Sequence, residues 1–374
     1  MTDERFKELD GLRGISVILV IAFHIFKRAD YFTKHETLHF ITSLTYIGWL
    51  GVDIFFTLSG FLITSILLKT KSENNYFRNF YARRILRIFP LYYVFIIVML
   101  AFLPTLAPYY NSNISTAIPF LFLYAQNWMG ILGLTGLPAI MAVTWSLAIE
   151  EQFYLMWPAM VYYTRRETLI KTGLGIIFLS IVLRILGVLF WNNTAQMTSF
   201  FYFNTFTRFE ELVFGALLAS LFANPDWRER IRQFSLPIFL FSFSIFIALC
   251  VYMFPGLIPY YSNLPLTLWS YTLIPLFSAS LIAILVTYPE NSLVRILFRN
   301  RILTFFGKYS YSMYLLHMPV ALLLLDPLYN MRIRGWKMYV AYIVLTYAIT
   351  ALGSLLTWNL LEKHMLNLKK HFEF

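Results

Sequence analysis

Apolar runs of about 20 residues recur along the chain, separated by short polar stretches in which Lys and Arg collect. That length fits a membrane-crossing helix, whereas a barrel strand needs only about half as many residues. The pattern predicts ten spans, at 10–27, 45–68, 85–103, 144–163, 172–191, 207–222, 236–254, 267–287, 309–325 and 338–361. Basic residues orient them. With the N-terminus in the cytoplasm, 22 of the 30 Lys and Arg fall in inside segments and 6 in outside loops, while Arg184 and Arg208 lie within spans. Both termini are therefore expected inside. The stretch 104–143 breaks the rhythm. Counting its apolar part, Ile114 to Trp128, as a full span would carry the basic loop with Arg165, Arg166 and Lys171 outside. It is expected instead as a short interfacial or re-entrant piece, whose Pro, Gly and Asn neighbours suit an irregular cavity lining.

Composition agrees with this all-α integral membrane class. The 374 residues are 59% hydrophobic and 13% charged, with a mean hydropathy of +0.64, whereas a soluble domain is about a quarter charged. One transmembrane domain over 1–374 is expected, with no appended soluble domain. Asp3, Glu4, Glu8 and Asp10 crowd the region that a cleavable signal would make basic. Cys250 is the single cysteine, which excludes intrachain disulfides and cysteine-based metal sites. The net charge of +11 is spread over loops between spans, so it argues for topology and not for nucleic acid.

The first span, LDGLRGISVILVIAFHIFK, carries both Arg13 and His24. Eleven residues is close to three helical turns, so the two side chains share a face, roughly 16 Å apart along the axis. Ionisable groups inside a span are costly and by default face a protein interior or a wet cavity. Snorkelling of Arg13 and packing of His24 are the plainer alternative. The topology brings further polar residues to the level of His24: Asp53 in GWLGVDIFFTLSGFLITSILL, Glu150 and Glu151 in TWSLAIEEQFYLMWP, and Arg208, Glu210 and Glu211 in FNTFTRFEELVFGALLA, with Ser59 deeper. Such a set permits general acid–base chemistry, because a carboxylate beside a histidine fixes its tautomer and raises its basicity. Charge pairing with Arg208 or Arg184, serving burial alone, is the alternative for the acids. The spacing of His24 and the carboxylates is not that of a metal site, and no metal is expected.

At the opposite surface, YARRILRIFPLYY sets Arg83, Arg84 and Arg87 within about one turn, before Pro90 is expected to bend or break the helix. Arginines at this spacing suit bidentate grip of phosphates, although topology-setting charge near anionic lipid explains them too. Arg13 can join them. An anion grip inside and an acid–base site toward the outside fit a phosphate-bearing donor with a thin reactive arm, and coenzyme A fits that description.

These motifs, taken in order with SYSMYLLHMPV and the closing TWNLLEKH, resemble the acyltransferase 3 family of integral membrane O-acyltransferases over essentially the whole chain. The resemblance implies transfer of an acyl group, usually acetyl from acetyl-CoA, to a hydroxyl of an extracytoplasmic or lipid-linked carbohydrate such as lipopolysaccharide, exopolysaccharide or peptidoglycan. It implies a multi-pass protein of a bacterial inner membrane. By it, His24 matches the catalytic histidine and Arg13 its paired arginine. Arg83, Arg84 and Arg87 match the donor-binding motif, and Glu150 matches the acid of the Trp-Ser-Leu motif. His24 acts as base, oriented by Asp53 or Glu150, or itself carries the acyl group. Trp145, Ser146, Glu151 and Arg208 are the candidate acceptor-side residues. His317 is expected to be structural, satisfying backbone freed by Pro319. Family members often close with Glu-Lys-Pro, whereas Glu362-Lys363 is followed here by His364. The alternative function is a transporter or exporter of a lipid-linked glycan, for which intramembrane charges are equally suited.

Overall fold

The computed structural model describes residues 6–33, 35–106, 114–190, 194–253, 264–331 and 334–373, and all regular structure among them is helical. The helices are α1 (Lys7–Ala29), α2 (Glu36–Thr45), α3 (Leu50–Lys69), α4 (Tyr76–Leu106), α5 (Ile114–Phe122), α6 (Trp145–Tyr163), α7 (Arg166–Phe190), α8 (Thr194–Phe203) and α9 (Thr205–Phe222). They continue with α10 (Pro225–Met253), α11 (Leu264–Thr287), α12 (Leu293–Phe298), α13 (Arg301–Lys308), α14 (Ser310–Asn330), α15 (Trp336–Thr357) and α16 (Lys363–Asn367). The expected span ends at 191 and 254, and residues 107–113 of the irregular segment, lie outside the described residues.

Eight helical stretches among the described residues are long and apolar enough to cross a membrane, built on α1, α2–α3, α4, α7, α10, α11, α14 and α15. The other two expected spans are α6 and α9, both continuous helices. Their acids and polar residues hold them below the apolarity of a lone span. Helix α9 accordingly sits inside the bundle, with Arg208, Glu210 and Glu211 fully buried. Lipid-facing surface falls to helices such as α7 and α10, each 22% buried over its most apolar window.

Lipid tails are as apolar as Leu, so close backbone approach rather than hydrophobic drive sets helix pairing in a membrane. The α3–α9 crossing shows this. A Cβ on Gly60 would lie 1.8 Å from the carbonyl oxygen of Leu212, and one on Gly215 would lie 1.9 Å from that of Thr57. Only glycine permits the approach, and the approach brings Asp53 of α3 to Arg208 of α9. Helix α1 is the hub, contacting α3, α13, α14 and α15. Its start is clamped by Arg295 and Arg299, each donating to the Glu8 carboxylate over 2.6 Å.

Two local expectations have different outcomes. The stretch after α4 is short and irregular as expected, with the nine-residue α5 followed by two 3-10 turns and a left-handed Tyr124. Two of its amide side chains are held across the bundle. Gln126 donates to the Thr144 carbonyl over 2.7 Å, and Asn127 donates to the Phe203 carbonyl over 2.9 Å. Pro90, in contrast, does not break its helix: α4 runs through it unbroken. Neighbouring side chains can hold a helix on both sides of a proline, and the Tyr311 hydroxyl donates to the Ile88 carbonyl over 2.8 Å beside it.

Candidate active site

The polar residues expected at one level form three separate groups. In the first, Asp53 accepts from Arg208, whose second guanidinium nitrogen lies 3.0 Å from Glu211. Arg184 lies 2.5 Å from Glu210, and Thr272 links them, accepting from Arg184 over 2.7 Å and donating to Glu210 over 2.6 Å. The Arg208 guanidinium is 4.4 Å from the Tyr271 ring centroid, and the rings of Phe56, Trp145 and Tyr202 complete a cage around it. Isolated charges at this depth would be prohibitive, and a paired, ring-packed network removes most of that cost. Of the candidate acceptor-side residues, Arg208 and Trp145 thus belong to this network. Asp53 does too, so it makes no hydrogen bond to His24.

The second group surrounds a cavity of ≈ 100 Å³. Arg13, Arg84 and Arg87 line it together with Glu150, Ser59 and Tyr154, and Ser146 and Tyr314 line it as well. Arg13 reaches it from α1 while paired to Asp10 at 3.0 Å, one helical turn back. Arg84 lies over the Phe80 and Tyr154 rings at 5.7 and 5.9 Å. Ser59 and Tyr154 hydroxyls are 2.7 Å apart and both face the Glu150 carboxyl. Glu151 points away from the cavity lining, and its buried Oε1 has no hydrogen-bond partner among the described residues. Arg83 does not share the cavity with its neighbours: it lines a separate cleft and donates to the Phe372 carbonyl over 3.4 Å.

The third group is a histidine pair. His24 Nδ1 lies 3.2 Å from His317 Nε2, with ring centroids 5.1 Å apart. His317 Nδ1 lies 2.7 Å from the Tyr314 carbonyl, and His24 Nδ1 lies 2.9 Å from that of Val20. A carbonyl only accepts, so in the neutral rings both Nδ1 atoms carry the proton. His317 Nε2 then accepts from His24 Nδ1–H, which the Val20 carbonyl shares. The lone pair of His24 is left on Nε2, for which no hydrogen-bond partner occurs among the described residues. The orienting partners of His24 are therefore a histidine and a carbonyl, not Asp53 or Glu150. His317 does not repair the Leu315 carbonyl that Pro319 leaves without its usual donor: its ring meets the Met313 and Tyr314 carbonyls and the ring of His24.

Tyr314 joins the groups. Its hydroxyl donates to the Val143 carbonyl over 3.0 Å and accepts from Ser146 at 2.6 Å, while its ring lies 5.8 Å from that of His317. The cavity ends against this side chain, and the histidine pair stands behind it. Sequence reasoning missed Tyr314 and Tyr154. The available signal for Tyr314 was its position three residues before His317, on the same helical face. Among the described residues no group of three or more His, Cys, Asp or Glu is placed to hold a metal ion.

A helical membrane bundle with arginines, a carboxyl and a histidine pair arrayed in this way is the frame of a membrane acyltransferase. The chain matches the acyltransferase domain of the acyltransferase 3 family over residues 6–358, and it belongs to that family. It is 31% identical over 325 residues to the peptidoglycan O-acetyltransferase OatA of Listeria monocytogenes, covering 83% of this chain and 49% of that protein. It is 29% identical over 377 residues to a putative peptidoglycan O-acetyltransferase, YrhL, of Bacillus subtilis, covering 95% and 54%. A putative O-acetyltransferase of Staphylococcus aureus is 30% identical over 83% of this chain and 50% of its own length. The chain spans about half the length of these curated relatives. No solved structure matches it.

Proposed function

We propose that the protein is a membrane O-acetyltransferase that takes an acetyl group from acetyl-CoA on the cytoplasmic side of a bacterial plasma membrane. The acceptor is a hydroxyl of an extracytoplasmic or lipid-linked carbohydrate. The observation that carries this reading is the cavity in which Arg13, Arg84 and Arg87 stand at one end and Ser146 and Tyr314 at the other, with the histidine pair behind. Arginines grip phosphates in bidentate fashion, and the diphosphate of coenzyme A supplies them. Its thin pantetheine arm then runs past Glu150, Ser59 and Tyr154 toward Tyr314. The thioester reaches His24 by passing the Ser146–Tyr314 contact.

His24 Nε2 takes the proton of the acceptor hydroxyl as that oxygen attacks the acetyl carbonyl. The ester C–O bond forms, the C–S bond breaks, and the imidazolium returns its proton to the departing thiolate. His317 holds the ring of His24 and stabilises the positive charge through Nε2. The names of two relatives make peptidoglycan, or a lipid-linked precursor of it, the first acceptor to try. The basic loops support the cytoplasmic placement of the donor end.

The test is to incubate membranes containing the wild type or His24→Ala with acetyl-CoA labelled in its acetyl group and with peptidoglycan fragments. Label on the glycan from the wild type alone supports the proposal. Equal labelling by a well-expressed His24→Ala would sink it. Movement of the glycan across the membrane without acetylation would favour the glycan-exporter alternative.

A further inference from the structure

The chain beyond residue 358, outside the family match, folds back onto α4. Asn79 donates to the Glu373 carbonyl over 2.7 Å, and the Arg78 guanidinium lies 5.7 Å from the centre of the Phe372 ring. With the Arg83 bond to the Phe372 carbonyl, these contacts fix the turn Leu368–His371 against the helix. A cleft of ≈ 450 Å³ results, lined by Arg83, Lys369, Lys370, Asn367, Leu366 and Glu373. Three basic side chains thus face one carboxylate. Burial, together with Arg87, Arg84, Arg83 and Arg13, holds the pKa of the Lys369 ammonium down to about 6, so an anion in the cleft is what would keep it charged. Lys369 is also within electrostatic reach of Arg13, Arg84 and Arg87, the arginines of the inner cavity. Arg83 and Arg84 are adjacent, so one turn of α4 contributes an arginine to the narrow cavity and another to the wide cleft.

Coenzyme A has the same two-part form. A slender arm ends in a diphosphate, and a bulky adenosine beyond it carries a separate phosphate on the ribose 3′ oxygen. We propose that Lys369 and Lys370, with Arg83, bind this ribose phosphate, while Arg13, Arg84 and Arg87 take the diphosphate. The inference rests on the acetyl-CoA reading of the site. The chemistry that recommends it is the separation of two cationic groups, one enclosed and one at a wide mouth, matched to two separated anionic centres.

The experiment compares affinities of the full chain, in nanodiscs of zwitterionic lipid, for acetyl-CoA and for acetyl-dephospho-CoA, which lacks only the 3′-phosphate. The wild type should prefer acetyl-CoA by about tenfold or more, the effect of one charge-assisted contact. Lys369→Gln combined with Lys370→Gln should abolish the preference by weakening acetyl-CoA alone, and Lys369→Arg should keep it. Equal wild-type affinity for the two donors would overturn the inference and leave the acetyl-CoA reading standing. Binding of neither donor would overturn both. Nanodiscs containing anionic lipid separate the remaining source of phosphate. If the lysine changes alter lipid dependence but not the preference between donors, the cleft is a lipid headgroup site and the inference fails.

Discussion

The arginines around Arg208 and those around Arg84 both stand beside carboxyl groups in a helical membrane bundle, yet the first are fully buried and the second only half-buried. Arg208 and Arg184 meet acids of neighbouring helices, and four aromatic rings enclose Arg208. Arg13, Arg84 and Arg87 line empty space, with Glu150 facing it. The first group pairs both of its arginines with acids and ties α3, α7, α9 and α11 together. The second borders a cavity, where the proposed function has it present charge to the donor phosphates. Buried charge in a membrane protein is therefore not one signal: whether it closes on itself or borders a cavity decides what it does.

That contrast can be broken first at the network. Arg208→Ala strands Asp53 and Glu211 and should cost about 3–5 kcal/mol, read as loss of the folded species in thermal unfolding and size exclusion. Retention of a normal melting temperature would show that the network is not what holds these helices. Gly215→Ala drives a Cβ into the Thr57 carbonyl of α3 and should cost about 1–3 kcal/mol by overpacking. Lowered melting temperature, with activity at low temperature retained, is the expected result. Thr272→Val removes the hydroxyl between Arg184 and Glu210, a loss of about 1 kcal/mol that the same melting curve measures. Arg232→Gln sharpens the comparison from the other side. Its exposed pair with Glu229 is screened by water, so the melting temperature should not move.

The helical class and the positions of the helices were legible because apolar run length has few other causes. The candidate site positions were legible only as residue types. His24, Arg13, Arg84 and Glu150 all stand where chemistry is plausible, and a periodicity of 3.6 places Arg13 and His24 on one face. Their partners were not legible. Asp53 and Glu150 were equally good partners for His24 on depth alone, and only the glycine-mediated α3–α9 crossing commits Asp53 to Arg208. His317 as the neighbour of His24 depends on how α14 leans on α1, a lateral contact that no single-helix pattern encodes. Arg83 parts from Arg84 because adjacent residues on a helix point about 100° apart. The basic cleft with Lys369 depends on the fold-back of a segment that reads, by itself, as a charged end.

Under the proposed function the cavity arginines serve the donor and not the fold. A melting curve of Arg84→Gln with and without acetyl-CoA tests it most directly, because bound ligand raises the melting temperature of the folded state. The expected ligand-free curve stays close to that of the wild type, and most of the stabilisation that acetyl-CoA gives the wild type is lost. A variant that melts early, yet is stabilised by acetyl-CoA as fully as the wild type, would contradict it.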